Sequence, residues 1–109
     1  MKVLTIRSLE TIPEDTRLDI HYSFGMERHT DYVFKDKLSS VYSATINLES
    51  TGPVISEIVR QSVKFPDFIF IIDDLDLENN VIERYRINNG KTVERLSSKW
   101  EWTNSSDSN

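Results

Sequence analysis

Apolar residues along this chain recur in two periods, and the period separates most of the predicted elements. Leu18, Ile20, Tyr22 and Phe24 alternate with Arg17, Asp19, His21 and Ser23. A period of two predicts a half-buried strand. Tyr42, Ala44, Ile46 and Leu48 alternate in the same way, and Arg28–Lys35 repeats the pattern with Tyr32 and Phe34 opposite Val33. Val3–Arg7 reads as a short first strand, and Ser8 to Thr16, with Pro13, as a loop. One stretch switches to helical spacing: Val54, Ile55, Ile58, Val59 and Val63 share a side, with Glu57, Arg60, Gln61 and Lys64 opposite. This predicts a helix over Pro53–Lys64, capped by Ser50 or Thr51, with Pro53 in its first turn and Pro66 after its end.

The second half returns to strands. Phe68–Ile72 is a continuous apolar run, which predicts a central strand buried on both faces. Phe68, Phe70 and Ile72 then face one side, and Ile69 and Ile71 the other. Val81–Ile87 and Thr92–Leu96 flank Asn88-Asn89-Gly90, a strong tight-turn signal. The expected order is four strands, one helix and three strands. The fold class is therefore α+β: a mainly antiparallel curved sheet of about seven strands packed on a single central helix. Residues 1–103 form the expected domain, and the polar stretch 104–109 the expected disordered tail.

Charge adds one local feature. The 109 residues carry a net charge of −5. Between Asp67 and Glu83 there are six acids and no base, whereas the other twelve acids face thirteen bases. Such a balance disfavours a nucleic-acid surface, which needs clustered Lys and Arg. It favours a protein partner with a basic surface. Asp73, Asp74, Asp76 and Glu78 are the first candidates for partner binding, placed where the apolar strand is expected to leave the core. Trp100 and Trp102 are further candidates, since Trp is enriched at binding hot spots.

Catalytic and cofactor chemistry finds little support. No Cys is present, which removes thiolate catalysis and Cys-based metal sites. The three glycines, Gly25, Gly52 and Gly90, each fall at an expected turn or helix entry, and no phosphate-cradling motif exists. A calcium loop counted from Asp74 fails where glycine and glutamate are required, at Asn79 and Tyr85. His21 and His29 flank Gly25 without a shared face, so both are expected to be exposed, titrating and metal-free. Asp74 and Asp76 share a face and Asp73 opposes them, with no nucleophile motif beside them. No cofactor and no enzyme activity are expected.

No apolar run is long enough to span a membrane, and Arg7 and Glu10 interrupt the start of the chain where a secretory signal would be apolar. A cytoplasmic setting is expected. These features suggest a small acidic protein-binding module, a stoichiometric inhibitor of the immunity, antitoxin or phage counter-defence type. The alternatives are a structural subunit of an oligomeric assembly, a phage or secretion component in which a homodimer would cover the second face of the sheet, and a cup for a small ligand.

Overall fold

A computed structural model describes residues 1–32 and 40–99. Five strands and two helices alternate as β1 (Lys2–Ile12), α1 (Glu14–Ser23), β2 (Ser40–Leu48), α2 (Gly52–Gln61), β3 (Phe70–Asp76), β4 (Val81–Asn88) and β5 (Lys91–Lys99). Short 3₁₀ turns follow the two helices at Met26–Arg28 and Ser62–Lys64. The strands form one open sheet in the order β2-β1-β3-β4-β5, and every neighbouring pair is antiparallel. The α+β class and the central place of β3 agree with the sequence. The seven strands and the single helix do not. No described helix is long and apolar enough to cross a membrane.

The largest correction is α1. The alternation over residues 17–24 suggested a strand, yet the segment is a helix that buries Arg17, Ile20, His21 and Phe24. Those positions have i, i+3, i+4 and i+7 spacing, one face of a helix. The period-two reading failed because two of the four buried residues are polar. The ends follow ordinary helix chemistry. Pro13 stands at the N-cap, Glu14 and Asp15 occupy the first turn, and Gly25 closes the other end at φ +73°. Of the strand expected over Arg28–Lys35, Arg28 lies in a 3₁₀ turn and residues 33–35 lie outside the described residues.

β1 is longer than predicted, running on through the supposed loop to Ile12. A register shift interrupts its pairing with β2 between Arg7 and Thr11. Ser8, buried at that point, repairs the ladder with its side chain. Its hydroxyl accepts from the Tyr42 N–H at 2.8 Å and donates to the Glu10 carbonyl at 2.8 Å. On the other edge Leu9 N–H bonds the Ile69 carbonyl, and the Glu10 carboxylate accepts from Ile69 N–H at 3.0 Å. Burying these backbone groups unpaired would have been costly.

Both helices lie on one face of the sheet. That face carries Leu4, Ile6, Tyr42, Ala44, Ile46, Phe70, Ile72 and Ile87, joined in one core with Ile20, Phe24 and Ile58. Phe24 sits among the aromatics, edge-on to Phe70 at 5.0 Å, to Phe65 at 6.1 Å and to Tyr42 at 6.4 Å. The expected facing of β3 holds for Phe70 and Ile72, while Phe68 precedes the strand and packs half-buried against the same core. Ile71 is buried on the opposite face, where its cross-strand neighbours are Arg7 and Arg86. The long stems of such arginines can roof an apolar residue while their heads stay wet.

The predicted hairpin forms. Asn89 and Gly90 make a two-residue turn with φ of +49° and +78°. Gly90 N–H donates to Ser62 Oγ at 2.8 Å, and the Asn88 amide donates to the carbonyls of Pro66 and Phe68. The hairpin tip is thereby tied to the end of α2. Val63, assigned from the sequence to the apolar side of the helix, is exposed and stands against this tip.

Two outcomes test this packing. Phe70→Ala should cost about 3–5 kcal/mol, read as a fall in the denaturant midpoint. An alanine Cβ at Gly90 would lie 2.6 Å from Val63 Cγ1, whereas at Gly25 it would meet open space. Both glycines have positive φ, so each alanine carries a backbone cost of about 1–2 kcal/mol. Gly90→Ala should therefore destabilise more than Gly25→Ala. Equal melting temperatures would contradict the docking of the hairpin tip.

Candidate functional site

The acidic segment is where the sequence placed recognition, and the strand does not stop before it. β3 begins at Phe70 rather than Phe68 and continues through Asp73, Asp74 and Asp76. Alternation along β3 then sends the acids to different surroundings. Asp73 lies on the face away from the helices, opposite Arg84, whose Nε and Nη2 donate to its two oxygens at 2.7 and 3.0 Å. Asp74 lies on the helix face and is buried. The Thr51 hydroxyl donates to its Oδ2 at 2.7 Å, while its Oδ1 has no hydrogen-bond partner among the described residues. Thr51 stands at the N-cap of α2 as expected, but its side chain serves Asp74 and not the helix.

Asp76 ends the strand and closes the turn over Leu77–Asn80. Its Oδ1 accepts from the backbone N–H of Glu78 and Asn79 at 3.1 and 3.2 Å, and its Oδ2 from the Asn79 amide at 2.8 Å. That side-chain bond, helped by the two backbone bonds, holds the carboxyl below its ordinary value. Glu78 is exposed and takes the N-terminal ammonium at 3.1 Å. The four acids therefore do not converge. Each is engaged within the chain, and Glu78 is the most open of them. Trp100 and Trp102 lie outside the described residues.

A second polar cluster went unread in the sequence. His21, expected to be exposed, is buried between α1 and β2. Its Nε2 lies 2.8 Å from the Thr30 carbonyl and its Nδ1 2.8 Å from the Tyr42 hydroxyl. A carbonyl only accepts, so Nε2 carries a proton. In the neutral ring Nδ1 then accepts from Tyr42. Burial raises the Tyr42 phenol well above its usual range, which keeps that donor in place. Tyr32 stacks on Tyr42 at 6.0 Å, and buried Arg17 donates to the Ser40 hydroxyl. A cavity of about 230 Å³ opens beside Arg17, His21 and Tyr32. The missed signal was the spacing of Arg17 and His21 with Ile20 and Phe24, between Pro13 and Gly25. Among the described residues no group of three or more His, Asp or Glu is placed to hold a metal ion.

The third feature is the β4–β5 ribbon. On the helix face Glu83 accepts from the Tyr85 hydroxyl and from Arg95 Nη2, the latter at 2.8 Å, and the Arg95 guanidinium lies 5.3 Å over the Tyr85 ring. The bond from Tyr85 and then the arginine lower the Glu83 carboxyl, while burial first and then Glu83 push the Tyr85 phenol up to about 12. Beyond this cluster the helix layer ends, and all nine residues of β5 are exposed. Val93 and Leu96 are 56% and 54% exposed, in a strand that contributes no side chain to the core. On the face away from the helices, Ile82, Arg84, Leu96 and Ser98 line a shallow depression of about 270 Å³. Compared with models of known protein families, with curated proteins and with solved structures, the chain matches none.

Two measurements test the polar assignments. His21→Leu orphans the Tyr42 hydroxyl and the Thr30 carbonyl and should cost at least about 1–3 kcal/mol. Adding Tyr42→Phe to that variant should cost less than Tyr42→Phe does alone. Additive losses would contradict the bond. For Asp76 the folded pKa lies below the unfolded one, so its contribution is complete at neutral pH and is lost as pH falls through the lower folded value. The midpoint difference between wild type and Asp76→Ala should hold steady near neutrality and shrink below about pH 4. A difference that persists in full at low pH would remove the ionised carboxylate from the turn.

Proposed function

We propose that the protein is a non-catalytic protein-binding module, and that it takes its partner on the open edge of β5. One observation carries the reading: β5 is the last strand of the sheet among the described residues, and none of its side chains is buried. An unpaired strand edge offers a row of backbone donors and acceptors that a second strand can complete. Hydrogen-bond alternation, counted along β4 from the two-residue turn and carried past a register shift that leaves Val93 as an extra residue opposite Arg86, directs the N–H and C=O of Glu94, Leu96 and Ser98 to β4. Those of Arg95, Ser97 and Lys99 point outward. Carried inward across the sheet, the same count puts the Ile69 carbonyl toward β1, where it meets Leu9 N–H. The other edge strand, β2, already spends alternate side chains on the core. β5 has no such role to explain its exposed Val93 and Leu96.

Such a module acts by occupying its partner in fixed stoichiometry, as an inhibitor does. The acidic stretch becomes secondary, because Asp73, Asp74 and Asp76 hold the sheet and its turn together. The test compares capture of proteins from native-host lysate by wild type, by Ser97→Pro and by the double variant Asp73→Asn/Glu78→Gln. Proline at an outward position removes one edge donor and is tolerated on edge strands. Leu96→Lys serves as a second edge variant should the proline disturb folding. A partner held by wild type and by the acid variant, but lost from both folded edge variants, is the expected result. Retention by the edge variants with loss from the acid variant would return recognition to the acids and to a basic partner.

A further inference from the structure

Resting on the edge reading above, we propose that the occupant of the β5 edge is the β5 edge of a second copy of this chain, joined antiparallel about Leu96. The strand selects this register by charge, and its backbone phase permits it. Two identical strands paired edge to edge are related by a twofold axis perpendicular to the sheet, so both copies carry their helices on the same side. Residues directly opposite one another then have the same parity. Three registers of this kind centre on the middle residues of the nine-residue strand. One centres on Arg95 and sets that guanidinium on its own copy. Another centres on Glu94, setting that carboxylate on its own copy. Like charges directly opposite are destabilising. The third centres on Leu96 and, in the regular stretch after the register shift at Val93, sets Glu94 on Ser98 and Arg95 on Ser97. It alone has no like-charged pair.

The hydrogen-bond phase of the edge suits the same register. Arg95 and Ser97 both point their backbone groups outward, so each can exchange bonds with the other's copy. Leu96 then forms the intervening pair without direct bonds, where the two backbones approach to about 4.5 Å between Cα atoms and side chains meet most closely. Leu96 projects from the face away from the helices, opposite Arg84, and borders the depression lined with Ile82. Pairing therefore sets the exposed leucine on its copy.

Cysteine cross-linking reads the register directly, because the chain contains no native Cys. Opposed positions without direct backbone bonds fall within disulfide reach. Under mild oxidation Leu96→Cys should form a covalent dimer. Glu94→Cys and Ser98→Cys should each remain monomeric alone and cross-link when mixed. Sedimentation equilibrium of the uncross-linked wild type should show a mass rising with concentration, weakened about tenfold or more in Ser97→Pro. Efficient cross-linking of Glu94→Cys alone would overturn the register. A dimer that survives both Ser97→Pro and Leu96→Lys would place self-association on another surface and overturn the proposal. A wild type that stays monomeric, with a lysate partner lost from the edge variants, would also overturn it while leaving the edge reading intact. If the edge variants changed neither mass nor capture, both readings would fall.

Discussion

Two helices of ten residues each cover a five-stranded sheet, and among the described residues they leave every side chain of β5 exposed. The core is strongest where Phe24 of α1 meets Phe70 of β3 and Tyr42 of β2, with Ile58 of α2 buried in the same cluster. β2, β1 and β3 lie under this layer. β4 sends Ile87 into it and half-buries Tyr85, and β5 sends nothing. The ribbon stays in place because its tip is fastened to the end of α2 through Ser62 and Gly90, and its base is continuous with β3. Among the described residues, that coverage leaves β5 as the last strand of the sheet with every side chain exposed.

Polar groups inside the fold occupy fixed posts. Ser8 bridges the gap in the β1–β2 ladder, His21 ties α1 to β2 and to Thr30, and Thr51 ties the start of α2 to Asp74. Each joins elements distant in sequence. A hydrogen bond in such a place contributes modestly in net terms but is expensive to break on one side only. These contacts fix how the helices seat on the sheet. They also account for acids and a histidine that the sequence alone offered as surface chemistry.

What the sequence showed, and what it hid, has a common physical origin. The α2 stripe, the Asn-Asn-Gly turn and the strands around Tyr42 and Tyr85 were legible because their apolar residues face one core at the expected period. α1 was not, because Arg17 and His21 take core positions and leave an accidental alternation behind. The end of β3 was misplaced for the same reason. Asp74 is buried in strand register, and a carboxylate in an interior has no hydrophobic signature. The candidate acids were found, yet their pairing with Arg84, Thr51 and Asn79 depends on register and turn geometry that composition does not carry. The place of β5 as the last described strand was invisible for a further reason: strand order, not residue type, decides which strand lies last.

Backbone amide exchange along β5 tests the central claim most directly. In dilute solution the amides of Glu94, Leu96 and Ser98, bonded to β4, should be protected, while those of Arg95, Ser97 and Lys99 exchange fast. Protection of the second set should appear only when a partner strand or a second copy is bound. Slow exchange at Arg95, Ser97 and Lys99 in the dilute, unbound chain would show the edge already covered. That result would contradict the account.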